Sequence, residues 1–485
     1  MSVSKQVIVG SMWSSGARIL TAFFRIGLLL ILSRLLEPED FGLFQVVSMV
    51  FLYMVTLSNL GLGSAIVQKK DLLPEHIHTV FWAYAFLGFT GSLLLFFLAP
   101  LIAEFFKQEN LTVAVRVIAF LPLTHTLSAV SRSLLLKELK IKQLSIIETL
   151  SYLLGYIPVT LILAFAGFGY WSLIAGFVIQ SLFTALMSFR AFPFRPAFVF
   201  SFQKFKELFR FGFFDTLNIF AAMTANQADT FFIGRLMGPV SLGLYNRAYN
   251  LMAANVNLFS DFIDRIFFAG FSQKQDSDES LLRAFYKADF LIMAFMLPLG
   301  FYCFANAKDL IIVLLGEKWL PAAIAFQILS LGLVFRLNYK ISYSIIRAKG
   351  NMESTLWIWI ANIGLTVILM FSLKNHGIEG IALALLISMI YRYFHLLFSL
   401  KREIKSFFIW KVLKNNSQLY ALGGLFLFIN FWGRNFLLTE KPILVLASSL
   451  LIMLLVFSPL FFNPVVKEFF ESISFKFKPL PEEKL

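Results

Sequence analysis

Near the start of this 485-residue chain, Arg18 and Arg25 stand inside an apolar run, with Ser11, Ser14, Ser15 and Thr21 beside them. Spacings of three, four and seven place these side chains on one face of a helix. The two guanidinium groups are then about 10 Å apart along its axis. A guanidinium keeps its charge when buried and grips phosphate or carboxylate through paired hydrogen bonds. The stripe therefore suits an anion, with internal pairing to an acid such as Glu148 the competing use. Opposite chemistry follows in a later apolar run, where Asp215, Asn218, Asn226 and Asp229 share one face. In the next run Asn250, Asn257, Asp261 and Asp264 share another. Such groups could bind a coupling cation, meet sugar hydroxyls, or pair with the arginines.

The elements that carry these stripes are set by composition. Hydrophobic residues make up 59% of the chain, charged residues 14%, and mean hydropathy is +0.78. Soluble domains run at roughly 45–50% apolar and about 25% charged. The fold class expected is all-α integral membrane, built from helices that each need about 20 apolar residues to cross a bilayer. Fourteen spans are predicted, at 11–32, 41–66, 79–103, 113–131, 146–165, 171–189, 212–233, 241–264, 288–305, 319–335, 354–373, 378–400, 417–433 and 442–462. The first is read as a retained helix, because no small-residue cleavage pattern follows it. Of the 42 Lys and Arg, 29 fall in the alternate connections that include both termini. The positive-inside rule then places both termini in the cytoplasm. The net charge of +14 is thus a topology signal, and no nucleic-acid partner is expected.

One phrase occurs twice. "SRLLEPEDFGLFQ" at 33–45 returns as "GRLMGPVSLGLYN" at 234–246, at a constant offset of 201. Arg34 matches Arg235, Pro38 matches Pro239, Gly42 matches Gly243 and Phe44 matches Tyr245. Six crossings separate the copies, so both face one side, as parallel repeats about an axis along the membrane normal do. Pro and Gly at these offsets shape a short turn between helices, and Arg34 with Arg235 is a candidate outer gate. The organisation expected is an N-lobe at 1–190, an interfacial cytoplasmic linker at 191–211 and a C-lobe at 212–400. An interfacial segment at 401–416, two helices at 417–462 and a cytoplasmic tail at 463–485 follow. Arg116, Asp289, Arg336 and Arg392 fall near expected span ends, where snorkelling accounts for them.

Enzyme chemistry has little footing. Cys303 stands alone, the five histidines are scattered, and "EHIH" at 75–78 has no further ligands nearby. No metal, cofactor or catalytic group is expected. The sequence shows no phosphate-binding glycine loop and no nucleophile elbow.

With these residues in hand, the chain resembles a known group. The first-span arginine stripe, "SRLLEPEDFGLFQ", "NLGLGSAIVQKK" and "ADTFFIGRLMGPVSLGLYNRAYNL" look like those of the polysaccharide-transporter (Wzx-type) flippases. These belong to the multidrug/oligosaccharidyl-lipid/polysaccharide exporter superfamily, and the likeness is to its exopolysaccharide subgroup, colanic or teichuronic acid-like. The resemblance implies a protein of the bacterial cytoplasmic (inner) membrane. It would move undecaprenyl-diphosphate-linked oligosaccharide from the cytoplasmic to the outer leaflet by alternating access of two lobes. It implies that Arg18 and Arg25 meet the diphosphate, with Ser14, Asp215, Asn218, Asn226, Asp229, Asn250, Asn257 and Asp261 lining the cavity. Membrane lipid, a coupling cation, and the polymerase and glycosyltransferases of the pathway are the partners it suggests. The rival readings are a drug or cation antiporter of the same superfamily, with twelve helices, and a polymerase, which should carry a large outer loop that is missing here.

Overall fold

The computed structural model describes residues 3–253, 278–348, 352–434 and 441–467. Over these residues the chain is helical, with no strand. In lipid every backbone N–H and C=O must be satisfied within the chain, and a helix does so segment by segment. The expected all-α membrane architecture is the one observed. Among the described residues nine helical stretches are long and apolar enough to cross a membrane. They take in ten of the fourteen expected spans, because Trp357–Glu403 covers two. The other four, at 11–32, 212–233, 241–264 and 417–433, are helical where described. Phe23, Phe86, Ile162, Phe165, Phe428 and Leu455 point outward and are exposed. Water would penalise that surface; hydrocarbon does not.

The chain divides into two compact units, Met1–Asn246 and Arg247–Leu485. This is a division by packing, and the repeat-based lobes at 1–190 and 212–400 are a separate proposal. The first unit holds α1 (Val3–Leu35), α2 (Pro38–Asn59), α3 (Leu62–Gln68), α4 (Pro74–Phe106), α5 (Leu111–Ile118) and α6 (Leu121–Lys137). It continues with α7 (Ile141–Leu150), a π-helical turn (Ser151–Tyr156), α8 (Ile157–Phe165), α9 (Tyr170–Ala191) and α10 (Phe202–Leu236). Helix α11, over 238–253, crosses the boundary between the units.

The repeated phrase explains itself here. Asp40 accepts from the Glu37 amide at 2.9 Å, capping α2, and from the Tyr170 amide at 2.8 Å, which ties the start of α9 to it. Pro38 at the first helical turn costs nothing, since its missing donor is unsatisfied there anyway. Gly42 sits against the Pro239 carbonyl, and Gly243 sits against the Pro38 carbonyl. The contact is reciprocal: each copy supplies the Pro carbonyl that the other copy's Gly accommodates. An added Cβ at either glycine would overlap backbone, which cannot swing away. Gly61 and Gly212 repeat the device one helix length on, packing α10 against the turn after α2.

At the opposite end of α10 a charged clasp closes the first unit. Glu207 accepts from Lys69 at 2.7 Å, contacts His76 at 3.1 Å and Lys204 at 3.3 Å, and stays a third exposed. Hydrogen bonds from Lys69 and His76 hold its carboxyl down at about 2. A carboxyl depressed in the fold stabilises fully above its unfolded value and loses that contribution as pH falls through the folded value. The stability difference between wild type and Glu207→Gln should therefore be constant from pH 7 to about 5 and vanish between about 4.5 and 2. Thermal unfolding of both proteins across that range checks it; a difference independent of pH would reject the clasp.

The second unit contains α12 (Asp278–Ala305), α13 (Ala307–Leu314), α14 (Ala323–Ser330), α15 (Leu333–Ala348) and α16 (Met352–Leu373). It ends with α17 (Gly377–Glu403), α18 (Ile409–Asn415), α19 (Ser417–Arg434) and α20 (Pro442–Phe457). Helix α12 is its axis, packed against α14, α15 and α19. Asp289 on α12 is 2% exposed and accepts from Asn416 at 2.7 Å and Tyr393 at 3.1 Å. It pins the short α18 segment to the bundle and does not snorkel. The last two helices are held by polar contacts as well. Arg434 donates to Asn306 at 2.9 Å and Asp309 at 2.8 Å, and Ser449 donates to Asn306 at 2.8 Å. In an apolar medium such bonds supply orientation that nonspecific packing cannot.

Candidate functional site

The expected anion stripe lies on α1, which packs along α7. Thr21 and Thr149 meet hydroxyl to hydroxyl at 3.3 Å. One turn further, the Arg25 guanidinium lies 5.3 Å from the centre of the Tyr152 ring. Tyr152 belongs to the π turn, where it stacks on Tyr156 with ring centres 5.4 Å apart and planes 15° from parallel. A π turn costs regular hydrogen-bond geometry and is kept mostly where a side chain must be re-aimed at a functional site. Arg25 itself is exposed. Among the described residues no carboxylate lies within ion-pair distance of it.

Glu148 therefore does not form the expected ion pair with Arg25. The residue it influences is Arg132, whose electrostatic surroundings also include Tyr84. Arg132 was absent from the sequence-based site, because the expected span stopped at 131 and left it to a basic connection. Its Nη2 stands 2.9 Å from His125 Nε2. Arginine can only donate, so Nε2 accepts and His125 carries its proton on Nδ1. Both that Nδ1 and the Arg132 Nε are buried without a hydrogen-bond partner. Tyr152, Tyr156, His125 and Arg132 thus add to the first unit a polar set that spacing alone did not single out. The one signal in the sequence was the density of Tyr and Thr around 149–156.

The expected cavity residues on α10 and α11 fall in different places. Asp229 is 4% exposed and accepts from the Tyr245 hydroxyl at 2.9 Å and the Thr230 amide at 2.8 Å. It bridges α10 to α11 within the first unit. Asn226 is exposed and donates to the Ala222 carbonyl at 2.8 Å. Asn250 is exposed. Ser14 and Arg18 on α1, and Asp215 and Asn218 on α10, are placed as helix positions, and their side chains lie outside the described set. Asn257 and Asp261 lie outside the described residues. Of the outer pair, Arg34 is exposed at the end of α1, and Arg235 lies 5.3 Å over the Phe105 ring.

Three of the four residues expected to snorkel are accounted for differently. Arg116 is exposed 5.1 Å over Phe96, as expected. Asp289 is buried in the α12 network, Arg392 is 7% exposed, and Arg336 is half-buried against Tyr249. Tertiary packing, not depth along the helix, decides their surroundings. Among the described residues no group of three His, Cys, Asp or Glu could hold a metal ion.

Fold and polar helix faces together define a polytopic helical membrane protein with charged groups set inside its spans. The chain belongs to the polysaccharide biosynthesis protein family, which matches residues 31–324. It is 27% identical over 80% of its length to an uncharacterized membrane protein in the cps region of Klebsiella pneumoniae, covering 80% of that protein. It is 25% identical to the lipopolysaccharide biosynthesis protein WzxC of Escherichia coli, over 73% of this chain and 72% of that one. Among solved structures it shares the fold of the lipid II flippase MurJ in an inward closed conformation. The TM-score is 0.72 at 18% identity, over 94% of this chain and 98% of that one. The resemblance carried by the repeated phrase and the arginine stripe agrees with this membership.

Proposed function

We propose that this protein is a flippase for undecaprenyl-diphosphate-linked oligosaccharide repeat units in exopolysaccharide, O-antigen or teichuronic-type polymer synthesis. The observation that carries the reading is Arg25: an exposed guanidinium within an apolar helix, facing the π-turn tyrosines, with no carboxylate in ion-pair distance among the described residues. Such a group attracts an anion strongly in a medium of low dielectric. In this reading the diphosphate is taken at Arg25 together with Arg18, the prenyl chain stays in lipid, and alternating access presents the head group to each leaflet in turn. The protein transports and does no covalent chemistry. Both termini lie in the cytoplasm of a bacterial cell, with glycosyltransferases supplying the substrate and a polymerase consuming it. The relatives' involvement in polysaccharide biosynthesis supports the substrate class.

The test uses liposomes that hold purified protein and a fluorescent undecaprenyl-diphosphate oligosaccharide. Wild type should bring inner-leaflet label within reach of an external quencher, while protein-free liposomes plateau near half quenching. An inert wild type that exchanges small dyes against a cation gradient would put a multidrug or cation-coupled antiporter in its place.

A further inference from the structure

Arg392 on α17 is the one buried Lys or Arg among the described residues, at 7% exposed. Its guanidinium lies 4.4 Å from the centre of Tyr339 on α15 and 5.3 Å from that of Trp359 on α16. Its Nε is buried without a hydrogen-bond partner. No carboxylate among the described residues is within ion-pair distance of it. A second cation is its neighbour. Arg336 on α15 sits 4.6 Å over the Tyr249 ring, donates to the Tyr249 hydroxyl, and falls within electrostatic reach of Arg392. One residue from Tyr339, Asn338 is 1% exposed, and neither of its amide atoms is hydrogen-bonded.

Two guanidinium groups so placed repel each other, and burial raises the cost of each. Stacking on aromatic faces returns only part of it. What the arrangement lacks is an anion. Arginine's fork matches an oxyanion in shape, and the surrounding rings keep water away from the pair. We propose that Arg392 and Arg336 form an oxyanion-binding site in the second unit, taking a carboxylate on the saccharide of the translocated substrate. The proposal rests on the flippase reading only for the substrate it names, since there the diphosphate is already assigned to Arg25. It would make acidic repeat units the preferred cargo, with Tyr339 and Trp359 as apolar walls beside the sugar ring. The carrier's own diphosphate offers the same oxyanion chemistry and is the other source to be distinguished.

Equilibrium binding to the full-length protein in nanodiscs separates these. The probes are cellobiouronate, its neutral counterpart cellobiose, and inorganic pyrophosphate, each titrated onto wild type, Arg392→Gln and Arg392→Lys. The expected result is that wild type prefers cellobiouronate over cellobiose by on the order of tenfold, as loss of a charged hydrogen-bond partner implies. Arg392→Gln should erase that preference and leave pyrophosphate binding alone, while Arg392→Lys restores part of it. If Arg392→Gln instead weakens pyrophosphate tenfold and spares the disaccharide pair, the oxyanion site stands with the diphosphate as its ligand. If neither anion responds while the unfolding temperature matches wild type, the site is overturned and Arg392 is a packing cation held by its rings. Should Arg392→Gln fail to purify as a single species, Arg336→Gln carries the same expectation. Loss of pyrophosphate binding in Arg25→Ala with no response to Arg392 overturns this site alone and leaves the flippase reading in place.

Discussion

Arg25→Ala should slow the quenching of fluorescent undecaprenyl-diphosphate oligosaccharide in liposomes by roughly 10- to 100-fold, which corresponds to losing one charge-assisted contact of about 1.5–3 kcal/mol. The reason is local. Arg25 is exposed beside Tyr152, and no carboxylate among the described residues competes for it. Removing it leaves no buried acid unpaired, so the fold should tolerate the change, and the unfolding temperature should stay within a few degrees of wild type. Arg25→Lys tests the chemistry more finely. It keeps the charge and loses the planar fork, so an intermediate rate is expected. Rates in Arg25→Ala equal to wild type would return Arg25 to a packing role on the Tyr152 ring and leave the diphosphate without its assigned partner.

The largest structural effect is expected at the repeated phrase. Gly42→Ala and Gly243→Ala each place a Cβ into a backbone carbonyl, of Pro239 and Pro38 respectively. Overpacking against rigid atoms costs about 1–3 kcal/mol or more, so each variant should unfold roughly 5 °C or more below wild type. Gly364→Ala is the control, because nothing lies within 4 Å of a Cβ added there. The two substitutions should not add. Once one Cβ has pushed the α2 and α11 starts apart, the second meets a gap already opened, and the double variant should lose less than the sum. Singles indistinguishable from Gly364→Ala would mean that the reciprocal contact is looser than its geometry.

That contact also shows what a repeat can and cannot say. The offset of 201 residues, and the Pro and Gly at matching places, are visible in the chain. They suggest a turn inherited twice. That the two turns lie against each other, each Gly making room for the other's Pro carbonyl, follows only from where α2 and α11 begin in space. The acids behave similarly. Periodicity puts Asp229 on a polar face, yet the fold closes that face with Tyr245. Asp289 and Arg392 fall near expected span ends, yet packing buries both.

By itself the sequence determined what lipid demands: helices of membrane length, an arginine stripe on the first of them, a parallel repeat and the absence of catalytic motifs. Those features are local, since helix period and apolar run length depend only on neighbours along the chain. Only the tertiary structure decided which charges are paired. A guanidinium's fate depends on the carboxylates and rings that other helices bring within a few ångströms, and no spacing rule carries that information. So Glu148 went to Arg132's surroundings and not to Arg25, the π turn delivered Tyr152 to the first-helix arginine, and three aromatic rings closed around Arg336 and Arg392.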